Sequence, residues 1–230
     1  MILLLLPVLL AETTVQVQQF HSSETTISLA NVMNEMFDGF QLPFLYPIII
    51  LILASLALRE EISNDTISYL WVKPISRESI LLSKFLVVFL VAFILSALSL
   101  LFTAKILDAN WDIALNLLFA AGISLLAYGS FFLVLSLYMG RAILVGFFYI
   151  LIWENLLSKL SPLASSLSIR SYAQNLTNAL LNLPCGGTSD NPGTCLPTAT
   201  SIIVLLLISV GSLALSVWRF SKMEFPGEME

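Results

Sequence analysis

The side chains that most often perform chemistry in proteins are scarce in this 230-residue chain. It has one histidine, His21, and no apolar run contains a pair of carboxylates, so general acid–base catalysis has few candidates. No lysine follows a glycine, which excludes a P-loop for ATP in this chain. A Gly-x-Ser-x-Gly elbow and a His-Glu-x-x-His motif are also missing from the sequence. We therefore expect a protein that is not itself an enzyme and that binds no cofactor or metal ion.

Two cysteines, Cys185 and Cys195, bracket the Gly/Pro/Asn-rich stretch PCGGTSDNPGTC. We predict that they form a structural disulfide, since closing a loop of this size contributes on the order of 2–3 kcal/mol by constraining the disordered state. A redox-active or metal-binding pair is the alternative. Their spacing does not match Cys-x-x-Cys, and the lone His21 is a poor partner for a metal site.

The most polar internal stretch is residues 59–79, REEISNDTISYLWVKPISRES, which separates two long apolar runs. Asp65 or Asn64 can cap a helix that begins at Thr66, and Pro74 ends it. Positions i, i+3 and i+4 of that helix share one apolar face, made of Ile67, Leu70 and Trp71. A short amphipathic helix between two spans predicts a docking surface for another protein. The alternative is a solvated loop whose helix lies on lipid headgroups.

Composition defines the class of protein. Hydrophobic residues make up 58% of the chain, charged residues 11%, and the mean hydropathy is +0.93, whereas soluble domains carry about 25% charged residues. An apolar helix of about twenty residues crosses the ~30 Å hydrocarbon core, and continuous apolar runs exclude a strand barrel. We predict an all-α, polytopic transmembrane bundle with five full spans, at residues 42–58, 80–104, 113–138, 142–157 and 200–218.

The remaining segments of this single transmembrane domain, residues 1–230, are shorter or more polar. Residues 1–11 are apolar but, at ~1.5 Å per residue, cover about half of a bilayer. We interpret them as the outer half of a first span whose beginning is missing; a signal peptide is the alternative, although no basic n-region is present. Residues 12–41 and 158–199 are predicted outer segments. In the second, the spacing of Leu176, Leu180 and Leu183 favours short helices at the outer membrane face.

Basic residues predict the orientation of the bundle, because cytoplasmic loops are enriched in Lys and Arg. If residues 59–79 lie inside and the spans alternate, seven of the ten basic residues fall on or near the inner side: Arg59, Lys73, Arg77, Lys84, Arg141, Arg219 and Lys222. Residues 219–230 are then an inner tail, and the cysteines lie outside, where oxidising conditions permit a disulfide. The net charge of −5 and the absence of a basic stripe argue against nucleic acid as a partner.

Two charged residues lie within the predicted spans. Glu154, in YILIWENLL, is either a buried acid that lines the path or an outer gate, or an interfacial residue beside Trp153 in the aromatic belt. Lys84 is close enough to the inner interface for its ammonium group to snorkel back to it; a pairing role in a pore is the alternative.

The first inner loop resembles that of ABC transporter permeases of the type-2 exporter class. In that family an acidic patch precedes an Asp-Thr-hydrophobic helix, and a Pro-Ile-Ser-Arg step leads into Ile-Leu-x-x-Lys. The corresponding elements here are Glu60 and Glu61, Asp65-Thr66, Pro74-Ile75-Ser76-Arg77, and Ile80-Leu81 with Lys84. The resemblance extends over residues 42–225. It departs at the N-terminus, where the family has an inner-surface helix followed by a complete first span.

The resemblance implies a permease subunit of an ATP-driven exporter in the plasma (inner) membrane of a prokaryote. Two permease copies or paralogues would enclose the path, and P-loop ATPase subunits carrying ATP and Mg²⁺ would dock from the cytoplasm. The implied docking residues are Glu60, Glu61, Asp65, Ile67, Leu70, Trp71, Lys73 and Arg77. A second hypothesis, a membrane anchor or assembly subunit of a larger complex that transports nothing, accounts equally well for the missing catalytic residues.

Overall fold

A computed structural model of the chain describes residues 33–34, 36–63, 77–107, 110–158, 165–181, 183 and 197–222, except for the side chains of residues 59–63 and 77. All regular structure in these ranges is helical. The helices are α1 (π-helical at Phe37–Leu45, α-helical at Tyr46–Ser63), α2 (Arg77–Ile106), α3 (Trp111–Tyr138), α4 (α-helical at Ala142–Phe148, π-helical at Tyr149–Leu157), α5 (Ile169–Leu180) and α6 (Thr198–Ser221).

Four of these helices are long and apolar enough to cross a membrane: Phe37–Leu58, Glu78–Ile106, Trp111–Tyr138 and Thr198–Ser221. They contain the predicted spans 42–58, 80–104, 113–138 and 200–218. The fifth predicted span is the apolar helix Ala142–Leu157, which at ~1.5 Å per residue is about 24 Å long, less than the ~30 Å core. A full crossing by α4 therefore stays a prediction, and residues 1–11 lie outside the described ranges.

The first described span begins earlier than the apolar pattern indicated. Its π-helical part starts at Phe37, and residues 33, 34 and 36 before it are also helical, all within the predicted outer segment 12–41. Gln41 made this stretch look solvent-facing, but it is buried and its amide donates to Thr103 on α2 (3.2 Å). Pro43 lies within the π-helical turns. Because proline lacks an N–H and its ring clashes with the carbonyl four residues earlier, a wider turn is one way for a helix to continue through it.

The centre of the bundle is α3, which packs against α1, α2, α4, α5 and α6. Most of α1 and α3 is buried inside the protein, whereas α2 and α6 are mostly exposed. A large apolar cluster contains residues of all six helices, most of them on α1 and α3. A smaller cluster joins α1, α2, α3 and α6 at the opposite end of the bundle. Apolar residues cover the outward faces of α2 and α6, as expected for helices that face lipid or another membrane subunit.

The helices alternate in direction, so that two ends of the bundle can be defined. At the α5 end lie the start of α1, the end of α2, the start of α3, the end of α4 and helix α5; hydrogen bonds from Gln41 to Thr103 and from Asn116 to Leu180 join these elements. At the opposite end, here called the loop end, α1 finishes at Ser63 and α2 starts at Arg77. The described parts of residues 59–79, at the end of α1 and the start of α2, therefore lie at the loop end.

Candidate functional site

The acid Glu154 lies at the centre of a buried polar cluster at the α5 end. Its side chain is fully buried in the π-helical part of α4. One carboxylate oxygen accepts from the Tyr149 hydroxyl (2.8 Å) and from the backbone N–H of Ile169 (3.2 Å). The other accepts from Ser168 Oγ (2.6 Å) and from the backbone N–H of Arg170 (3.2 Å). The carboxylate is thus satisfied by four donors, which compensates for its removal from water.

Two of those donors are the first backbone N–H groups of α5, so Glu154 caps a helix that is distant in sequence. The N-terminal N–H groups of a helix have no partner within the helix and carry a partial positive charge. Ser168, at the N-cap position of α5, also accepts from the backbone N–H of Ser171 (3.3 Å). An acid from α4 and a serine from α5 together satisfy this helix end. Glu154 is therefore buried within the protein, and its role in the path or the outer gate stays a prediction.

Arg170 extends the cluster to α1. Its guanidinium donates to the Asn155 side-chain oxygen (2.9 Å) and to the backbone carbonyl of Asp38 (3.2 Å). Burial lowers the pKa of Arg170, while the nearby Tyr128, Asp38 and Glu154 raise it; an arginine remains protonated in such a site. Arg170 belongs to the predicted outer segment 158–199, and its buried guanidinium joins α5 to α4 and α1.

Asn155 joins the π-helical parts of α4 and α1. Its amide donates to the carbonyl of Ile150 within α4 (2.8 Å) and to that of Pro43 on α1 (3.5 Å). The Ile150 carbonyl, in the π-helical part of α4, therefore accepts a hydrogen bond from the side chain of Asn155. Both π-helical segments of the described chain contribute to this cluster, and π-helical turns are frequent at functional sites.

The opposite end of the bundle provides a second contact with functional relevance. Lys84 on α2 is half-buried, and its ammonium group donates to the carbonyl of Ala57 in the later part of α1 (3.3 Å). Leu58 and Leu81, which lie close to the same point on α1 and α2, are both fully buried in the smaller apolar cluster. The two helices that flank residues 59–79 are therefore packed against each other next to that loop.

A comparison with protein families matches residues 1–158 to the ABC-2 family transporter protein domain. This match covers more than half of the 230 residues. The chain belongs to the ABC-2 transporter family. No curated protein matches the chain. The ABC-2 family confirms the resemblance seen in residues 59–84, and it identifies the chain as a permease-type, multi-pass membrane protein. Such family members are in general non-catalytic subunits that associate with an ATPase subunit.

The family match includes α1 to α4, and therefore Glu154, but it ends before α5. Within the described residues, no group of His, Cys, Asp and Glu could hold a metal ion. The Glu154 cluster combines an acid, a guanidinium group, hydroxyls and amides that are hydrogen-bonded to each other, although Arg170 Nε is buried without a hydrogen-bond partner. Its chemistry is that of a helix-to-helix connection in an ABC-2 permease.

Most docking residues predicted for this ABC-2 permease lie outside the described residues: Asp65, Ile67, Leu70, Trp71 and Lys73. Glu60 and Glu61 are in the last turn of α1 and Arg77 begins α2, but their side chains are not described. Cys185 and Cys195 also lie outside the described ranges, so their disulfide stays a prediction.

Sequence reasoning missed Arg170, Asn155, Tyr149 and Ser168 as members of one cluster. One local signal was available: Ser168 before IRSYAQNL is a typical N-cap residue, which indicates a helix start at Ile169. Nothing in the sequence shows that the acid which completes this cap comes from α4. The predicted apolar spacing at Leu176 and Leu180 does identify helix α5, but Leu176 is fully buried and α5 packs on α3 and α6.

Proposed function

We propose that this ABC-2 protein is the transmembrane permease subunit of an ATP-driven exporter. A separate P-loop ATPase subunit, which binds ATP and Mg²⁺, docks on residues 59–79 through the apolar face of Ile67, Leu70 and Trp71. Glu60, Glu61, Asp65, Lys73 and Arg77 surround that face with charge. Alternating access requires a partner that binds differently to two conformations of the permease, and the occupancy of ATP on the docked subunit supplies that difference.

The observation that supports this proposal best is the contact between α1 and α2 beside the loop. Because Lys84 bonds to Ala57 and Leu58 packs with Leu81 in one cluster, a force on residues 59–79 acts on both helices at once. α1 then runs through the centre of the bundle to the Glu154 cluster, where the carbonyls of Asp38 and Pro43 accept hydrogen bonds. A movement at the loop end can therefore reach the α5 end through one packed helix.

Replacing Trp71 with alanine tests the docking proposal. A central aromatic anchor typically contributes about 2 kcal/mol or more, so we expect roughly a thirtyfold loss of affinity for the ATPase subunit. Co-purification of the ATPase in mild detergent, together with transport-dependent ATP hydrolysis, measures the effect. Ser68→Ala is the matched control, since Ser68 is on another face of the same predicted helix and should cost little.

Two results would contradict the proposed function as an exporter subunit. One is a Trp71→Ala protein that retains the ATPase and its coupled hydrolysis. The other is the failure of any ATPase to co-purify with the unaltered chain, which would favour the membrane anchor or assembly subunit. Comparable membrane insertion of both variants is required for either conclusion.

The distribution of basic residues leads to a second test, which determines the side of the membrane that residues 59–79 face. We propose that the loop end is cytoplasmic, in the plasma membrane of a prokaryote, because seven of the ten basic residues fall there. A cysteine introduced at Ser68 should react with a membrane-impermeant thiol reagent only after the membrane is opened. Cys185 and Cys195, once reduced, should react on intact cells. Labelling of Ser68→Cys in sealed cells would reverse the topology and remove the docking proposal.

The outward apolar faces of α2 and α6 are the surfaces that we assign to membrane lipid and to a second permease copy or paralogue. They carry large exposed side chains, among them Val87, Ile94 and Phe102 on α2 and Leu207 and Val210 on α6. Faces of this kind are unfavourable in water and are satisfied in a bilayer or against another subunit.

A further inference from the structure

Helix α5 is held firmly at its first residues. Three bonds from Ser168, Ile169 and Arg170 to the Glu154 carboxylate are 2.6, 3.2 and 3.2 Å long. The guanidinium of Arg170 adds bonds to Asn155 (2.9 Å) and to the Asp38 carbonyl (3.2 Å). Two of the five have the charged guanidinium of Arg170 as the donor, and hydrogen bonds of this type are about twice as strong as neutral ones.

The last residues of α5 are held by weaker polar contacts. The Asn116 amide of α3 donates to the Leu180 carbonyl over 3.5 Å, and the Asn34 amide donates to the Asn178 side-chain oxygen over 3.3 Å. Both bonds are between neutral groups and near the upper limit for a hydrogen bond. This half also packs through Leu176, which is fully buried. The two ends of α5 therefore differ in the strength of their attachment.

The two ends also differ in part in the elements that they bind. Hydrogen bonds to α4 are made by the first residues, whereas the bond between Asn34, just before α1, and Asn178 lies near the C-terminal end. The first residues are bonded to α4 and to the start of α1, whereas the body of the helix packs on α3 and α6. α5 can therefore move together with α4 and the start of α1, to which its first residues are bonded, and separate from α3 and α6. Elements that move are usually those with the weaker local attachment.

We propose that Glu154 and Arg170 are positioning residues that fix the N-terminal end of α5 to α4 and α1. α5 pivots about this end, and its C-terminal half separates from α3 and α6 when the permease opens at the α5 end. The attachment of α5 by Glu154 and Arg170 requires no partner subunit. The pivoting of α5 when the permease opens rests on the proposed export function.

Single cysteines at the two ends of α5 test the pivot in the full chain, reconstituted in lipid without any ATPase. Ile169 and Thr177 are both buried, near the start and in the second half of the helix. Labelling of Ile169→Cys and Thr177→Cys by a small thiol reagent is followed by peptide mass spectrometry and divided by the rate in denaturing detergent. We expect Thr177→Cys to react at least tenfold faster. Equal rates, or a faster reaction at position 169, would overturn the pivot.

Removing the Glu154 carboxylate tests whether this residue attaches the N-terminal end of α5 to α4. In a Glu154→Ala background, Ile169→Cys should react at least tenfold faster than before, and the ratio between the two ends should approach one. Glu154→Gln should give an intermediate rate, because its amide can accept from one backbone N–H but presents a donor to the other. A general loss of stability would accelerate both positions and keep their ratio. Asp112→Ala, at an exposed acid in the first turn of α3, should change neither rate.

The final arm adds the co-purified ATPase and ATP. We expect hydrolysis to increase labelling of Thr177→Cys severalfold and to leave Ile169→Cys protected. Labelling of both ends to the same extent, or of neither while transport proceeds, would overturn the proposed opening movement. If no ATPase associates with the chain, the export function fails, while the two experiments on the chain alone still decide whether Glu154 fastens α5. An unchanged Ile169→Cys rate in both Glu154 variants would refute the fastening.

Discussion

Replacing Phe132 with alanine is expected to lower the free energy of unfolding by roughly 3 kcal/mol, the order observed for large-to-small changes in a packed core. Phe132 is fully buried in the last third of α3. Its ring is 6.0 Å from that of Tyr128 on the same helix and 6.2 Å from that of Tyr149 on α4, the second pair edge to face. Alanine would leave a cavity at the contact between the central helix and the helix that carries Glu154.

The lipid environment makes the choice of control important. In a bilayer an apolar side chain gains little by leaving the solvent, so the expected loss comes from the cavity and the missing van der Waals contacts. Phe119 is on the same helix but its side chain is 52% exposed, and Phe119→Ala should cost less than about 1 kcal/mol. Reversible unfolding by a denaturing detergent measures both variants. Equal losses for the two would contradict the assignment of α3 as the packed centre.

Enlarging Gly146 is expected to have a similarly large effect through the opposite mechanism, overpacking. A Cβ atom at this position of α4 would overlap with Cδ1 of Leu51 on α1 and lie 2.9 Å from Cδ2 and 3.2 Å from Cγ. Leu51 is itself buried and has little room to move. Gly146→Val should therefore force α4 away from α1 and cost about 2–3 kcal/mol.

Gly211 is the matched control because it is also helical, on α6, and a Cβ atom added there would have no neighbouring atom within 4 Å. Gly211→Val should change stability by no more than about 0.5 kcal/mol. The same unfolding assay compares the two variants. A second consequence is expected at the α5 end, because α4 carries both Glu154 and Asn155. Displacement of α4 should increase the labelling of Ile169→Cys, and full protection of that cysteine in Gly146→Val would show that α4 had not moved.

Hydropathy alone located the long spans, for a physical reason that does not depend on the fold. A helix in lipid must satisfy all its backbone groups within itself and must be apolar over about twenty residues. The helices Glu78–Ile106, Trp111–Tyr138 and Thr198–Ser221 meet this condition without reference to their neighbours. The order of the residues from Glu60 to Lys84 likewise indicated the family.

At the beginning of α1, the pattern of polar and apolar residues in the sequence does not predict the helix boundary. Asp38 and Gln41 lie in a stretch that is polar in sequence but helical and largely buried in the protein. Gln41 is compatible with burial because its amide donates to Thr103 and its oxygen accepts from the Tyr46 hydroxyl (3.0 Å). Those partners are supplied in part by α2, so the helix boundary depends on packing that the local sequence does not encode.

The membrane character, the four long helices, the ABC-2 family and the presence of helix α5 are determined by composition, local order and periodicity. What only the tertiary structure decided is the set of partners around the single acid in YILIWENLL. The sequence left open whether Glu154 lines a path or an outer gate or lies at the interface, and that role stays a prediction. In the folded chain it accepts from Ser168, Ile169 and Arg170, up to 16 residues away in sequence. The stability of a buried charge depends on the donors around it, and the packing of α4 against α5 supplies those donors.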